Sequence, residues 1–336
     1  MKPKKKLIII GAGLSGLYLA TLLKEDFDIT ILEARNRLGG RILTHEEHDL
    51  GPSWIWPHQK HILSLVNKLK LELFAQYTKG DALYDAPNGV QSFNAPPSAP
   101  SARMKGGLGN LIKTLANSLP STMIQKNEKV LNINEENETL TVQTQHKQYK
   151  AAYVISTLPP RLACKNISYE PKLEEKSKQE MQDTPTWMGH TAKCVIEFET
   201  SFWRKEGLSG FVYSPIGPLG EMHDACTQNK SALFGFLLSN ASTHTIQADV
   251  KAQMKRLFPT KKVKNIFFVD WREEEFSSSA NDRKGLSSHP EYGHSLTHFS
   301  SKLFFIGTES SYDNGGYLEG AVISAKQLAE KLKLVL

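Results

Sequence analysis

Residues 7–24 read LIIIGAGLSGLYLATLLK, and this stretch decides the fold. Leu7 to Ile10 is a short, fully apolar run rich in β-branched side chains, the pattern of a parallel strand buried on both faces. Gly11, Gly13 and Gly16 follow in GxGxxG spacing and open an apolar helix expected from Ser15 to Lys24. The three glycines serve different needs. Gly11 permits the tight turn, Gly13 lets a pyrophosphate approach the backbone, and Gly16 allows close helix–strand packing. The free N–H groups and positive dipole end of the helix then face the phosphates.

The next strand, FDITILEA, carries Glu33 at its end. A carboxylate about 20 residues beyond the first glycine is placed to bond ribose hydroxyls, which predicts dinucleotide binding and disfavours a 2′-phosphate. On this motif alone FAD and NAD both stay open. Further along, KHILSLVNKLKLELF (60–74) has the i, i+3, i+4 pattern of a helix. A loop rich in Pro, Ser and Ala leads to RMKGGLGNLI, a glycine turn and helix. Short alternating segments KVLNI, TLTVQT and YVIS read as strands. From about Leu162 the texture changes to a polar helix and strands near 192–198, 210–213, 232–238 and 265–271, with a helix before the last. The α/β texture returns at the end in KLFFIG and GYLEGAVISAKQLAEKL.

The net charge of +6 comes mostly from lysine. No clustered arginine–aromatic module accompanies it, so a solvated surface is expected and no nucleic-acid partner. Cys164, Cys194 and Cys226 are scattered and odd in number, without metal-ligand spacing. They fit a reducing compartment better than a disulfide framework. The basic start has four apolar residues before Gly11, fewer than a secretory core needs. No apolar run reaches the ~20 residues of a spanning helix. The expected location is cytoplasmic.

EARNRLGGRI (33–42) resembles the second fingerprint of the flavin-containing amine oxidases, a family that includes monoamine and polyamine oxidases. The resemblance continues in family order through DLGPSWIWP, RMKGGLGNLI, KVLNI, YVISTLPP, TAKCVIEFETSFWR and FFIGTESSYDNGGYLEGAVISA. It implies a short, soluble, bacterial-type FAD enzyme of α/β, two-domain architecture. A Rossmann-type FAD domain would carry a mixed-sheet substrate domain, as in monoamine oxidase and p-hydroxybenzoate hydroxylase. The expected FAD domain is discontinuous, covering 1–73, 103–163 and 296–336, with 74–102 and 164–295 forming the substrate domain.

The resemblance also implies roles for individual residues. Gly11, Gly13, Leu14, Ser15 and Gly16 form the pyrophosphate turn, and Glu33 holds the adenosine ribose. Ala34 and Arg35 lie beside the adenosine, Gly40 and Arg41 reach the phosphates, and Val130 meets adenine. Gly51, Pro52, Ser53 and Trp54 run along the flavin ring. Glu309 bonds the ribityl or pyrophosphate part, and Gly316, Tyr317 and Leu318 sit at the ring. Lys193 and Tyr317 are the implied catalytic residues, Lys193 by holding a water against flavin N5. No metal is implied. A neutral amine would give hydride to the flavin, and dioxygen would reoxidise it to yield hydrogen peroxide.

Three departures bear on this. Ala280 stands where some family members have a flavin-linking cysteine, which predicts non-covalent FAD. Asn281 stands where one wall of an aromatic cage would be, leaving Tyr317 alone of that pair. The segment between Phe74 and Arg103 is shorter than in the mitochondrial members of that family, which predicts a more open or differently walled cavity and a reduced flavin within reach of another electron acceptor. Glu221, His223 and Asp224 are weaker site candidates and fit better as a surface turn or structural hydrogen-bond cluster. Three functions stay compatible with these residues: an amine oxidase, a flavin dehydrogenase or desaturase of a non-amine substrate using a quinone or NAD(P), and a flavin-binding scaffold without turnover.

Overall fold

A computed structural model describes residues 3–96, 98–137, 139–293, 296–298 and 301–334. The remaining positions, which include Lys2 of the basic head and Pro97 of the proline-rich loop, lie outside it. The first strand, Lys6–Ile10, is central in a six-stranded sheet. Across the sheet the order is Leu296–His298, Leu303–Phe305, Tyr153–Ser156, Lys6–Ile10, Asp28–Glu33 and Ile124–Lys126. All neighbours run parallel except the outermost pair, 296–298 against 303–305. The unbroken apolar run has a direct cause. Leu7 and Ile9 enter the core shared with the helices, while Ile8 and Ile10 enter the core beneath a four-stranded sheet on the other face. A strand covered on both sides has no polar face to keep.

The helix Leu14–Leu23 packs against the last helix, Leu318–Lys333, and Ser15 Oγ donates to Ala321 O at 3.1 Å. A Cβ on Gly16 would stand 2.1 Å from Gly11 O and 3.2 Å from Ile9 Cγ2, so only glycine lets this helix lie on its strand.

The second large unit is a mixed seven-stranded sheet. Its order is Val263–Asp270, Ala192–Phe198, Ser231–Leu237, Leu219–Asp224, Leu208–Tyr213, Asp81–Ala86 and Gly89–Phe93. The lysine strand 192–198 is inside it, with Lys193 opposite Phe236 on one side and Val269 on the other. Cys194, Ile196 and Phe198 face a core closed by helix Ile246–Leu257. Val195, on the opposite face with Lys193, packs with Leu50 and Phe234, against which Trp54 lies. The sheet therefore presses its lysine face onto the segment 50–54 of the nucleotide-binding unit.

Several expectations are corrected. The pattern over 60–74 yields a helix only over Lys60–Lys68, because Lys70 turns into the left-handed region (φ 55°) and Leu73–Ala75 is a strand. GPLGEMHDAC is not a surface turn, since Leu219–Asp224 is an inner strand whose alternation is masked by glycine. Contacts with the first unit also continue past the boundary expected at 163/164. Ser168–Glu170 pairs with Asn132–Asn134, and Met181 of helix Glu175–Asp183 joins the core under the nucleotide-binding sheet.

Candidate active site

A cleft of about 410 Å³ runs between the two units. One end is lined by Glu33, Ala34, Arg35 and Val130, and the middle by Gly11, Gly13, Leu14, Ser15, Gly40 and Arg41. The far end is lined by Gly51, Pro52, Ser53, Trp54, Lys193, Gly316, Tyr317 and Leu318. Residues drawn from seven separate stretches of sequence thus share one surface. Two of the candidates do not line it. Gly16 is in the helix–strand contact already described, and Glu309 is buried behind Arg41.

The cleft fits a dinucleotide on two observations. A Cβ on Gly13 would meet no protein atom nearer than Gly39 O at 4.0 Å, so the space beside it belongs to the cleft. The helices starting at Leu14 and Leu318 both lack a side-chain cap, and both N-termini open on the same cleft. Uncapped N–H groups with a positive dipole end suit phosphates at one helix and an electron-rich ring at the other. Glu33 is fixed in place by the backbone, its carboxylate accepting from Ala12 N and Arg35 N, each at 2.9 Å.

The arginines that line the cleft also make ion pairs within the protein. Arg41 makes a two-point pair with Glu309, at 2.6 and 3.0 Å, spanning 268 positions of sequence. The pair holds the Arg41 guanidinium, which lines the cleft, against the buried Glu309 carboxylate. Arg35 donates to Glu274 and Ser277 and stacks over Phe276. Arg37 also reaches Glu274. These pairs clamp the 274–277 turn over the end of the cleft lined by Glu33 and Arg35. Arg41→Gln would leave the Glu309 carboxylate buried without its partner. Breaking a buried pair costs about 3–5 kcal/mol. With the Arg41 side chain 29% exposed, the low end is expected, read as a lowered urea midpoint.

Lys193 does not snorkel to solvent; only 2% of it is exposed. Its Nζ donates to Gly51 O at 2.7 Å and Ser53 Oγ at 2.6 Å, and lies 4.2 Å from the centroid of Phe234. Burial pulls its proton affinity down to about 7, with Asp49 opposing and Arg103 adding to the shift. Asp49 is pushed the other way, upward, by its own burial. Asp49 Oδ1 accepts from Thr44 and Leu108, while Oδ2 is buried without a partner among the described residues.

Asn281 and Ala280 are exposed on a short turn and line nothing in the cleft. Asn281 thus does not stand beside Tyr317, and other aromatic side chains do. The Tyr317 ring meets Trp56 at 5.8 Å, Trp187 at 6.4 Å and His289 at 5.2 Å, the last nearly parallel. Trp187 and Phe234 were not singled out from sequence. An aromatic placed in the loop just before the lysine strand, and two phenylalanines two apart on the neighbouring strand, were the available signals. Asp224 accepts from Trp203, Arg204 and the Cys226 N–H and is a structural hub. His223 bonds Glu221 and supports Trp54 from behind at 4.9 Å.

Among the described residues no helix is long and apolar enough to cross a membrane. The profile of the family described as "Flavin containing amine oxidoreductase" matches residues 95–333, and that of an NAD(P)-binding Rossmann-like domain matches 9–69. Flavin-containing amine oxidase A of Canis lupus familiaris is 22% identical, aligned over 97% of this chain and 84% of its own length. Flavin-containing amine oxidase B of Mus musculus is 24% identical, over 99% and 86%. Cyclohexylamine oxidase from Brevibacterium oxydans shares the fold with a TM-score of 0.81 at 18% identity, covering 98% of this chain and 100% of that one. Putrescine oxidase bound to putrescine shares it at 0.80, also at 18% identity, covering 98% and 99%. With the glycine cradle and Glu33 on one cleft and the family profile matched over 95–333, the chain belongs to the flavin-containing amine oxidoreductases, enzymes that use FAD.

Proposed function

We propose that this protein oxidises the C–N bond of a neutral monoamine with an apolar body and uses dioxygen as electron acceptor, releasing hydrogen peroxide. One observation carries the reading. The far end of the cleft is walled by Trp54, Trp56, Trp187, Tyr317 and Phe234, with Lys193 its one cation among the described residues, while the lining carboxylates, Glu33 and Glu128, stand together at the opposite end. A substrate ammonium would be desolvated there without a counter-ion, so the neutral amine is the form that binds. Lys193 has already committed hydrogen bonds to Gly51 and Ser53, and a carboxylate-bearing substrate would lack a free guanidinium at that end. When bound along this cleft, FAD supplies the hydride acceptor. The chain's part is position, exclusion of water and charge: the aromatic walls hold the amine carbon, and Lys193 and the last helix N-terminus favour negative charge nearby.

The test is a panel of monoamines, diamines, amino acids and hydroxylated or isoprenoid compounds. Anaerobic bleaching of the flavin and aerobic peroxide release are the readouts. Apolar monoamines are expected to give both. Bleaching by a non-amine alone would overturn the reading.

We also propose that the flavin is held without a covalent bond. Ala280 offers no thiol, and Cys164, Cys194 and Cys226 do not line the cleft. Acid precipitation is expected to leave the yellow colour in the supernatant; colour retained in the pellet would contradict this.

A further inference from the structure

We propose that the Ser53 hydroxyl relays a proton between the Lys193 ammonium and the cleft. The inference rests on the oxidase reading above, which sets a demand. R–CH₂–NH₂ + O₂ + H⁺ → R–CH=NH₂⁺ + H₂O₂ consumes one proton from outside the reactants, at a site walled by aromatics.

Lys193 is the buried donor, and among its hydrogen-bond and ring partners one can hand a proton on. Its Nζ points at Gly51 O, at Ser53 Oγ and at the face of Phe234. A carbonyl accepts a hydrogen bond but has no proton to hand on, and an aromatic ring has neither. A hydroxyl has both a lone pair and a proton. Ser53 Oγ uses a lone pair on Lys193, its own proton has no acceptor among the described residues, and the residue lines the cleft. The charged groups acting on Lys193 are Asp49, from the strand leading to Gly51, and Arg103. Arg103 donates to Cys226 O and Ala225 O, so it holds its place without touching the Lys193–Ser53 bond.

The relay step balances without electron transfer. An Nζ–H bond breaks as a new Oγ–H bond forms. The hydroxyl's original Oγ–H bond breaks in the same event, and that proton passes to the acceptor in the cleft. Lys193 is left as a neutral amine and regains its proton by the reverse path after product leaves. Burial, which lowers the proton affinity of Lys193, makes the first transfer easier.

The test compares wild type, Ser53→Ala and Ser53→Thr, each with flavin bound. Light with oxalate as sacrificial electron donor reduces the flavin without any amine, and oxygenated buffer is then mixed in from about pH 6 to about pH 9, the range spanning Lys193 titration. An independent readout is the exchange of the Lys193 Nζ protons with solvent, followed by NMR with ¹⁵N-labelled lysine. Ser53→Ala is expected to slow reoxidation by about ten- to a hundredfold, flatten its pH dependence and slow the exchange. Ser53→Thr, which keeps the hydroxyl, is expected to restore both to within about threefold. The wild-type proton inventory needs no variant: a curved dependence on deuterium fraction, two protons in flight, is expected. A linear inventory, or a Ser53→Ala protein as fast as wild type in reoxidation and exchange, overturns the relay. Slow reoxidation of the wild type itself, with exchange still dependent on Ser53, overturns the oxidase reading and leaves the relay standing.

Discussion

Lys193→Met is expected to give a folded, yellow protein whose turnover falls by about two to three orders of magnitude, the scale of losing one preorganised group at the reacting atoms. Methionine matches the stem length and fills the space under Phe234 without a cavity. It removes the charge that favours an electron-rich cofactor and the donor that holds Ser53 and Gly51 O. The flavin is expected to stay, because Gly13 and Glu33, the residues proposed for its phosphates and ribose, line other parts of the cleft and are untouched by the substitution. Stopped-flow reduction by an amine and reoxidation by oxygen read the effect; both half-reactions at wild-type rates would remove Lys193 from the chemistry.

The same variant tests the cost of burial. The folded protein binds the Lys193 proton more weakly than the unfolded chain does, with about 7 against the ordinary 10.5. Between these values the unfolded chain carries a proton that the folded one has lost, so wild-type stability rises with pH across that window. Below about 7 both forms are protonated, and the full penalty of burying the charge remains. Urea midpoints at both ends of the window, compared at equal flavin content, should show this rise in wild type and its loss in Lys193→Met.

The second large effect is expected at Gly13. Gly13→Val should fold and lose its flavin. The backbone there is at φ −79°, ψ −172°, a conformation that suits a β-branched residue, and the added Cβ meets nothing closer than 4.0 Å. What it enters is the space by the helix N-terminus where a pyrophosphate would approach. Visible absorbance should fall to the background of the apoprotein, while far-ultraviolet circular dichroism stays at wild type. Gly16→Ala is the contrast, three positions away. Its methyl would stand 2.1 Å from a backbone oxygen, and overpacking of this kind costs about 1–3 kcal/mol or more. A Gly13→Val protein that keeps its flavin would place the cofactor elsewhere.

The parts of this protein legible in the sequence are those set by neighbours along the chain. Strand 6–10, the glycine turn, helix 14–23 and the position of Glu33 follow from period, steric need and spacing, all local properties. The expected helix at 60–74 failed by the same logic, because apolar spacing continued past the left-handed turn at Lys70. The strand 219–224 was hidden for another reason: its identity depends on pairing with 208–213 and 231–237, and its own residues alternate poorly.

By itself, then, the sequence determined the dinucleotide-binding unit, the family blocks and the lysine at the head of a buried strand. Only the tertiary structure decided that Arg41 and Glu309 satisfy each other, that Trp56, Trp187 and His289 gather around Tyr317 where Asn281 does not, and that Ser53 receives a hydrogen bond of Lys193. Each of these joins residues from about 28 to more than 250 positions apart, and side-chain partners at such range are chosen by how two sheets close on a cleft, a property that no local window of sequence contains.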